Sequence, residues 1–218
     1  PNLSVAARQA MLDASVKIAS ATNYHGLGTF EFLLDGKDNI AFIEANPRVQ
    51  VEHTVTEEVA GIDLVQTQIR ICAGATIADL GLEQHNIPEP SGHAVQMRVN
   101  LERITEDGKI MPTGGLLSAY EQPGGPGVRV DGHGYAGLKT SPLYDNLLAK
   151  VICHAPEKLD DALARCRRAL RAFRIEGVET NIPFLHALLD LHEIESGSTF
   201  TRQIEEQSLT LFKASMAA

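Results

Sequence analysis

The sequence has no apolar run near the roughly 20 residues that a membrane span requires, and its first residues lack the order of a signal peptide. It has no CxxC pair. Its three cysteines, Cys72, Cys153 and Cys166, are widely spaced and odd in number. That pattern argues against a disulfide framework or a zinc site, and for small buried apolar residues in a reducing cytoplasm. Positive charge is scarce: 19 Lys and Arg stand against 28 Asp and Glu, a net −9. With no local basic patch, a phosphate backbone would be repelled, so nucleic acid is not an expected partner, and neither is a membrane. Internal repeats and low-complexity tracts are absent. The chain opens on Pro-Asn-Leu-Ser instead of Met and enters a helical pattern almost at once, as a piece of a longer polypeptide would. At 218 residues and 44% hydrophobic content it can bury a sizeable core, in one large or two modest domains.

What is present reads first as α, then as β. Ser4 is a plausible N-cap, and Ala7, Ala10, Met11, Ala14, Ile18 and Ala21 recur at helical spacing, predicting a helix over about 4–22. Residues 29–34 and 40–45 read as strands around Asp35-Gly36-Lys37-Asp38-Asn39, which has hairpin-turn chemistry. Residues 62–73 predict a helix with Ile62, Val65, Ile69 and Cys72 inward. The Pro88-Glu89-Pro90-Ser91-Gly92 break is the best boundary, giving expected domains at 1–88 and 89–218. Beyond it, 94–100 alternates Val95, Met97 and Val99 against Gln96, Arg98 and Asn100. Further strands are expected near 115–121, 127–131 and 147–153. An amphipathic helix is expected over 157–173 with Leu159, Leu163, Cys166, Leu170 and Phe173 on one stripe, and Asn181 could cap a last helix reaching about 192.

The most informative segment is Glu44-Ala-Asn-Pro-Arg-Val-Gln-Val-Glu52. If it is extended, Glu44, Asn46, Arg48, Gln50 and Glu52 share one face. A turn centred on Lys37-Asp38 would set Glu31 opposite Glu44. Directly opposed like charges destabilise a sheet unless a cation sits between them, and paired carboxylates suit Mg²⁺. Asn46 would add a third oxygen, although two unrelated surface carboxylates would give the same spacing. Arg48 between Asn46 and Gln50 can clamp a small planar anion, or be a solvated arginine. Glu52 is a candidate general base; His53 ranks below it because an extended chain puts it on the other face. Gly132-His-Gly-Tyr-Ala-Gly137 fits a dinucleotide fingerprint, but Leu138-Lys-Thr-Ser-Pro142 is poor helix material, so a turn is the better reading. Arg98 read alone is a surface arginine.

Taken together, these residues resemble the biotin carboxylase family of ATP-grasp enzymes across essentially the whole chain. Phe30-Glu31-Phe32, the run Phe42–His53, and Thr56-Glu57 are similar to its metal and bicarbonate signature. Gly92–Asn100 is similar to the start of its C-terminal domain, with Pro123-Gly-Gly125, Tyr135-Ala-Gly137 and Tyr144–Lys150 following in the family's order. The resemblance implies an α+β fold: the back of an ATP-grasp domain, then the β-rich C-terminal domain. It further implies that Glu31 and Glu44 meet ATP and, with Asn46, hold Mg²⁺ or Mn²⁺. Arg48, Gln50 and the Val51 N–H would bind bicarbonate, Glu52 would deprotonate it, and Arg98 would stabilise the biotin enolate. The implied partners are a biotin carboxyl carrier protein or domain and a carboxyltransferase, with a homodimer as the implied assembly.

The chain also departs from the family. Its N-terminal domain and glycine-rich lid are not in this sequence. Pro126 replaces the aromatic of the family's Gly-Gly-Phe-Gly-Val-Arg stretch, the segment after Asn100 lacks Ala-Glu-Asp-Pro, and no Met-Lys-Met biotin-attachment motif occurs. The expected function is the ATP-dependent biotin carboxylase activity of an intact enzyme, with this piece alone inactive. The rivals are a carbamoyl-phosphate-type ligase and a non-catalytic subunit-association module.

Overall fold

The computed structural model describes residues 3–106 and 109–216. Local capping starts the first element: the Ser4 hydroxyl accepts the Ala7 N–H at 3.0 Å and opens helix α1 (Val5–Ala21). Strands β1 (Thr29–Leu34) and β2 (Ile40–Asn46) form an antiparallel hairpin. In its turn, the Asp35 carboxylate accepts the N–H groups of Lys37 (2.7 Å) and Asn39 (3.0 Å), and Asp38 takes the left-handed conformation (φ 62°). Helix α2 (His53–Ala60) ends at Gly61 in the left-handed region (φ 66°). Asp63 then caps helix α3 (Leu64–Cys72) by accepting the Gln66 N–H at 2.7 Å. The chain divides into two units, Pro1–Pro90 and Ser91–Ala218.

Several expectations are corrected in the first unit. The 62–73 helix begins at Leu64, no residue of α3 is buried, and Val65, Ile69 and Cys72 are exposed. Cys72 is therefore not a core cysteine. Helix α2 was not anticipated: the row read as extended from Glu44 to Glu52 runs up to its N-terminus, and His53–Ala60 itself carries few apolar residues. Among the described residues of this unit, only Ala7, Thr54 and Glu57 are buried.

The second unit has a substantial core. Its strands are β3 (His93–Asn100), β4 (Glu102–Ile104), β5 (Ile110–Pro112), β6 (Ala119–Glu121), β7 (Val128–Gly132) and β8 (Leu147–Ala155). They are followed by α4 (Leu159–Ala172), β9 (Arg174–Glu176), α5 (Ile182–Leu189), α6 (His192–Glu195) and α7 (Gln203–Ser215). An antiparallel sheet in the order β3-β8-β7 is the frame, with β4-β5 and β6-β9 as small ladders. Helix α4 lays Leu163, Cys166, Ala169 and Leu170 on Met97, Val99, Val151 and Cys153 of that sheet, at about 1.5–3 kcal/mol for each large side chain buried. The fold is the expected α+β class, and the α4 stripe is buried as its spacing predicts.

Differences here have local causes. The strand expected over 115–121 is ordered as strand only from Ala119, preceded by a single bridge between Leu116 and Lys139. The helix expected to reach 192 breaks into α5 and α6, and α7 lacked a clear apolar stripe in the sequence. No helix opens after Gly132-His-Gly-Tyr-Ala-Gly137. Instead the Tyr120 ring lies against Gly134, where a Cβ would come within 2.4 Å of it, so the glycine serves a close ring approach. Among the described residues no helix is long and apolar enough to cross a membrane.

Candidate functional site

Glu31 and Glu44 are directly opposite in the β1–β2 ladder. The register that brings them there is not the one expected. Leu34 pairs with Ile40 and Phe32 with Phe42, then a β-bulge leaves Ile43 extra and shifts the pairing so that Glu31 meets Glu44 and Thr29 meets Asn46. Asn46 Nδ2 donates to both carboxylates, to Glu31 Oε1 and to Glu44 Oε1, each at 2.9 Å. Gln50 Nε2 is a second donor to Glu31 Oε1 at 3.1 Å. Amide N–H groups thus relieve the repulsion of two opposed carboxylates. The donor set also fits a hard cation: two carboxylates and an amide oxygen, reached by turning the Asn46 amide over, with remaining positions left to phosphate and water. Among the described residues no group of three His, Cys, Asp or Glu side chains gathers to hold a metal unaided.

The extended ribbon expected from Glu44 to Glu52 ends at Asn46. Pro47 has no N–H to give a ladder, the Arg48 N–H turns back to the Asn46 carbonyl at 2.8 Å, and Glu52 sits at the N-terminus of α2 with φ −82° and ψ 5°. The alternating-face argument therefore covers only Glu44 and Asn46. The turn nonetheless places Arg48, Gln50 and Glu52 on the wall of one cavity of about 490 Å³, together with Ser15 and Phe30. Arg48 Nη1 donates to the Val49 carbonyl at 3.3 Å, and Val51 continues the turn into α2.

His53 lines the same cavity, which corrects its assignment to the opposite face. Its Nδ1 lies 3.0 Å from Glu57 Oε1, one helical turn on, and Glu57 also accepts the Leu64 N–H at 2.9 Å. The i,i+4 spacing of His53 and Glu57 was the signal in the sequence. A cation, an amide and two proton-accepting groups around one cavity can orient a small anion and remove a proton from it.

Arg98 lies in the other unit, exposed on β3 and opposite Lys150 of β8, which in turn is opposite Asp131 of β7. Lys150 pairs with Asp131 at 3.4 Å and Arg129 with Asp131 at 2.8 Å. Burial alone would raise the Asp131 carboxyl, but the hydrogen bond and charge of Arg129, with Lys150 beside it, hold it below the ordinary value.

Comparison with known proteins bears on both units. The family profile described as biotin carboxylase C-terminal domain matches residues 96–206, and that of the carbamoyl-phosphate synthase L chain ATP-binding domain matches 1–80. Pyruvate carboxylase of Pichia angusta is 45% identical over 205 residues, covering 94% of this chain and 17% of that protein. Biotin carboxylase 1 of Bacillus subtilis (strain 168) is 42% identical over 206 residues, covering 94% and 44%. Among solved structures, the biotin carboxylase domain of a single-chain bacterial carboxylase superposes with a TM-score of 0.90 at 41% identity, over 100% of this chain and 49% of that one. The biotin carboxylase domain of the Hydrogenobacter thermophilus 2-oxoglutarate carboxylase, in complex with MgADP, ADP and bicarbonate, gives 0.87 at 36% identity over 96% and 45%. The chain spans less than half the length of each of these relatives.

Proposed function

This chain belongs to the biotin carboxylase family, and on that premise we propose that it supplies the metal, bicarbonate and biotin residues of an ATP-dependent biotin carboxylase. Within that enzyme, Glu31, Glu44 and Asn46 would hold the Mg²⁺ or Mn²⁺ that accompanies ATP. The ion, when bound, neutralises the phosphate charge. Arg48, Gln50 and the Val51 N–H hold bicarbonate, and Glu52 takes its proton so that an oxygen can attack the γ-phosphate, giving carboxyphosphate and ADP. Carboxyphosphate breaks down to CO2 and phosphate, the phosphate takes the ureido proton of biotin, and Arg98 stabilises the enolate by a charge-assisted hydrogen bond while the nitrogen attacks CO2. These steps require water to be kept out, because carboxyphosphate is short-lived in water.

The observation that carries this reading is the shared cavity wall of Arg48, Gln50 and Glu52, one hydrogen bond from the Glu31–Asn46–Glu44 cluster through Gln50. The expected boundary at 88/89 is proposed as the limit between the ATP-grasp part and the C-terminal domain. The proposed partners are a biotin carrier and a carboxyltransferase, the proposed assembly a homodimer, and the proposed location the cytoplasm.

A carbamoyl-phosphate-type ligase is favoured by the 1–80 match alone; Arg98 and the 96–206 match weigh against it. Substituting Glu52→Gln or Arg98→Ala in the full-length enzyme lowers biotin carboxylation by at least about 100-fold on this reading, whereas unchanged carboxylation would leave a subunit-association role as the better account. Bicarbonate-dependent ATP cleavage by residues 1–218 alone would overturn the proposal that this span is inactive by itself.

A further inference from the structure

The sequence placed Asn181 as a helix cap, and the structure gives its side chain other work. Asn181 sits at the N-terminal position of α5, yet its side chain makes no bond to that helix. The carboxamide reaches across 81 residues of sequence to the free edge of β3. Its Oδ1 accepts the Asn100 N–H at 2.9 Å, and its Nδ2 donates to the Arg98 carbonyl at 3.0 Å. The Asn181 backbone N–H adds a bond to the Asn100 carbonyl at 3.1 Å. Among the described residues β3 has β8 on one side and no strand on the other. One amide side chain thus stands in for a neighbouring strand at the level of Arg98 and Asn100, beside the register shift between Val99 and Asn100.

The orientation of that amide is itself fixed. Its second Nδ2 hydrogen goes to Glu102 Oε1 at 3.1 Å, and Glu102 Oε2 accepts from Asn146 Nδ2 at 2.6 Å. Both hydrogens of Nδ2 therefore face acceptors and Oδ1 faces a donor, so turning the amide over would break three bonds. Asn181 and Glu102 are both buried, where a mispaired polar group is costly.

We propose that Asn181, oriented by Glu102, is a positioning residue for Arg98: it fixes the main chain on either side of Val99 and so aims the guanidinium. The inference rests on the role given to Arg98 above. Displacing a charge-bearing group by about 1 Å costs on the order of 100-fold in rate.

The test is a double-mutant cycle in the full-length carboxylase, reading kcat for carboxylation of free biotin. Arg98→Ala is expected to lower kcat about 10²- to 10³-fold, and Asn181→Ala about 10- to 100-fold. In the Arg98→Ala background the second substitution costs less than about twofold, because there is no guanidinium left to aim. Losses that multiply would make Asn181 purely structural and overturn the inference. An Arg98→Ala enzyme of normal activity would instead overturn the reading on which it rests. If Asn181→Ala fails to fold, Asn181→Asp decides. Its carboxylate faces the Arg98 carbonyl and the Glu102 carboxylate, so activity should recover as pH falls from about 8 to about 6 and a proton restores one donor. An Asn181→Asp enzyme with the wild-type pH profile would contradict the proposal.

Discussion

Helices α3 and α4 both carry an apolar stripe at helical spacing, yet five side chains of α4 are buried and none of α3 is. The difference lies in what faces each stripe. Opposite α4 stands a three-stranded sheet offering Met97, Val99, Val151 and Cys153. The first unit offers a two-stranded hairpin, an element that is marginal by itself. Periodicity therefore tells which face of a helix would be covered, and only the partner decides whether it is. The same contrast divides function: the cavity with Arg48, Gln50 and Glu52 belongs to the unit with three buried residues among those described, whereas Arg98 stands on the sheet that carries the core.

The comparison can be broken most sharply by truncating matched side chains. Leu163→Ala is expected to destabilise the second unit by about 2–5 kcal/mol. Ile69→Ala, at a site 63% exposed, should stay within about 0.5 kcal/mol. Denaturant unfolding followed by hydrogen exchange in α4 and α3 measures both, and equal costs would end the contrast. A smaller effect is expected inside the first unit, where a buried carboxylate substitutes for apolar packing. Glu57→Ala removes the acceptor of the Leu64 N–H and the partner of His53, at about 1–3 kcal/mol. Unchanged exchange protection at the Leu64 amide would show that this junction is held by something else.

Acid sharpens the contrast on the sheet side. The Asp131 carboxyl is held below its ordinary value, so its contribution is complete above the unfolded pKa of about 3.9 and is lost as pH falls through the lower folded value. With Asp131 partly exposed, the amount is no more than about 1 kcal/mol. Asp131→Asn should remove that part of the acid slope of unfolding, and an identical slope would contradict the pairing with Arg129 and Lys150. Thiol chemistry gives the smallest signal. The neighbouring Cys153 thiol and burial push the Cys166 thiol far up, while Cys72 is exposed. A native-state thiol titration should modify Cys72 first, and early reaction at Cys166 would show that the core opens.

How much of this was legible follows the physics of each residue. Helix α4 and the hairpin were readable because one period runs through each. The Glu31–Glu44 pairing was reached by a wrong path, since the turn sets a register one residue off and the bulge at Ile43 restores it. Bulges leave no mark in a composition pattern. The strand read through Glu52 stops at Pro47, whose missing N–H was in plain view but was outweighed by the alternation around it. That alternation also misplaced His53, which begins α2. Asn181 looked like a cap because Asn favours that position, and its bond to β3 joins residues 81 and 83 apart, which local pattern cannot show.

The central claim is tested most directly by the rate at which the full-length enzyme carboxylates free biotin once Glu52 is replaced by Gln. Loss of the proton acceptor predicts a fall of about 10²- to 10⁴-fold. A Glu52→Gln enzyme working at the unsubstituted rate would contradict the account.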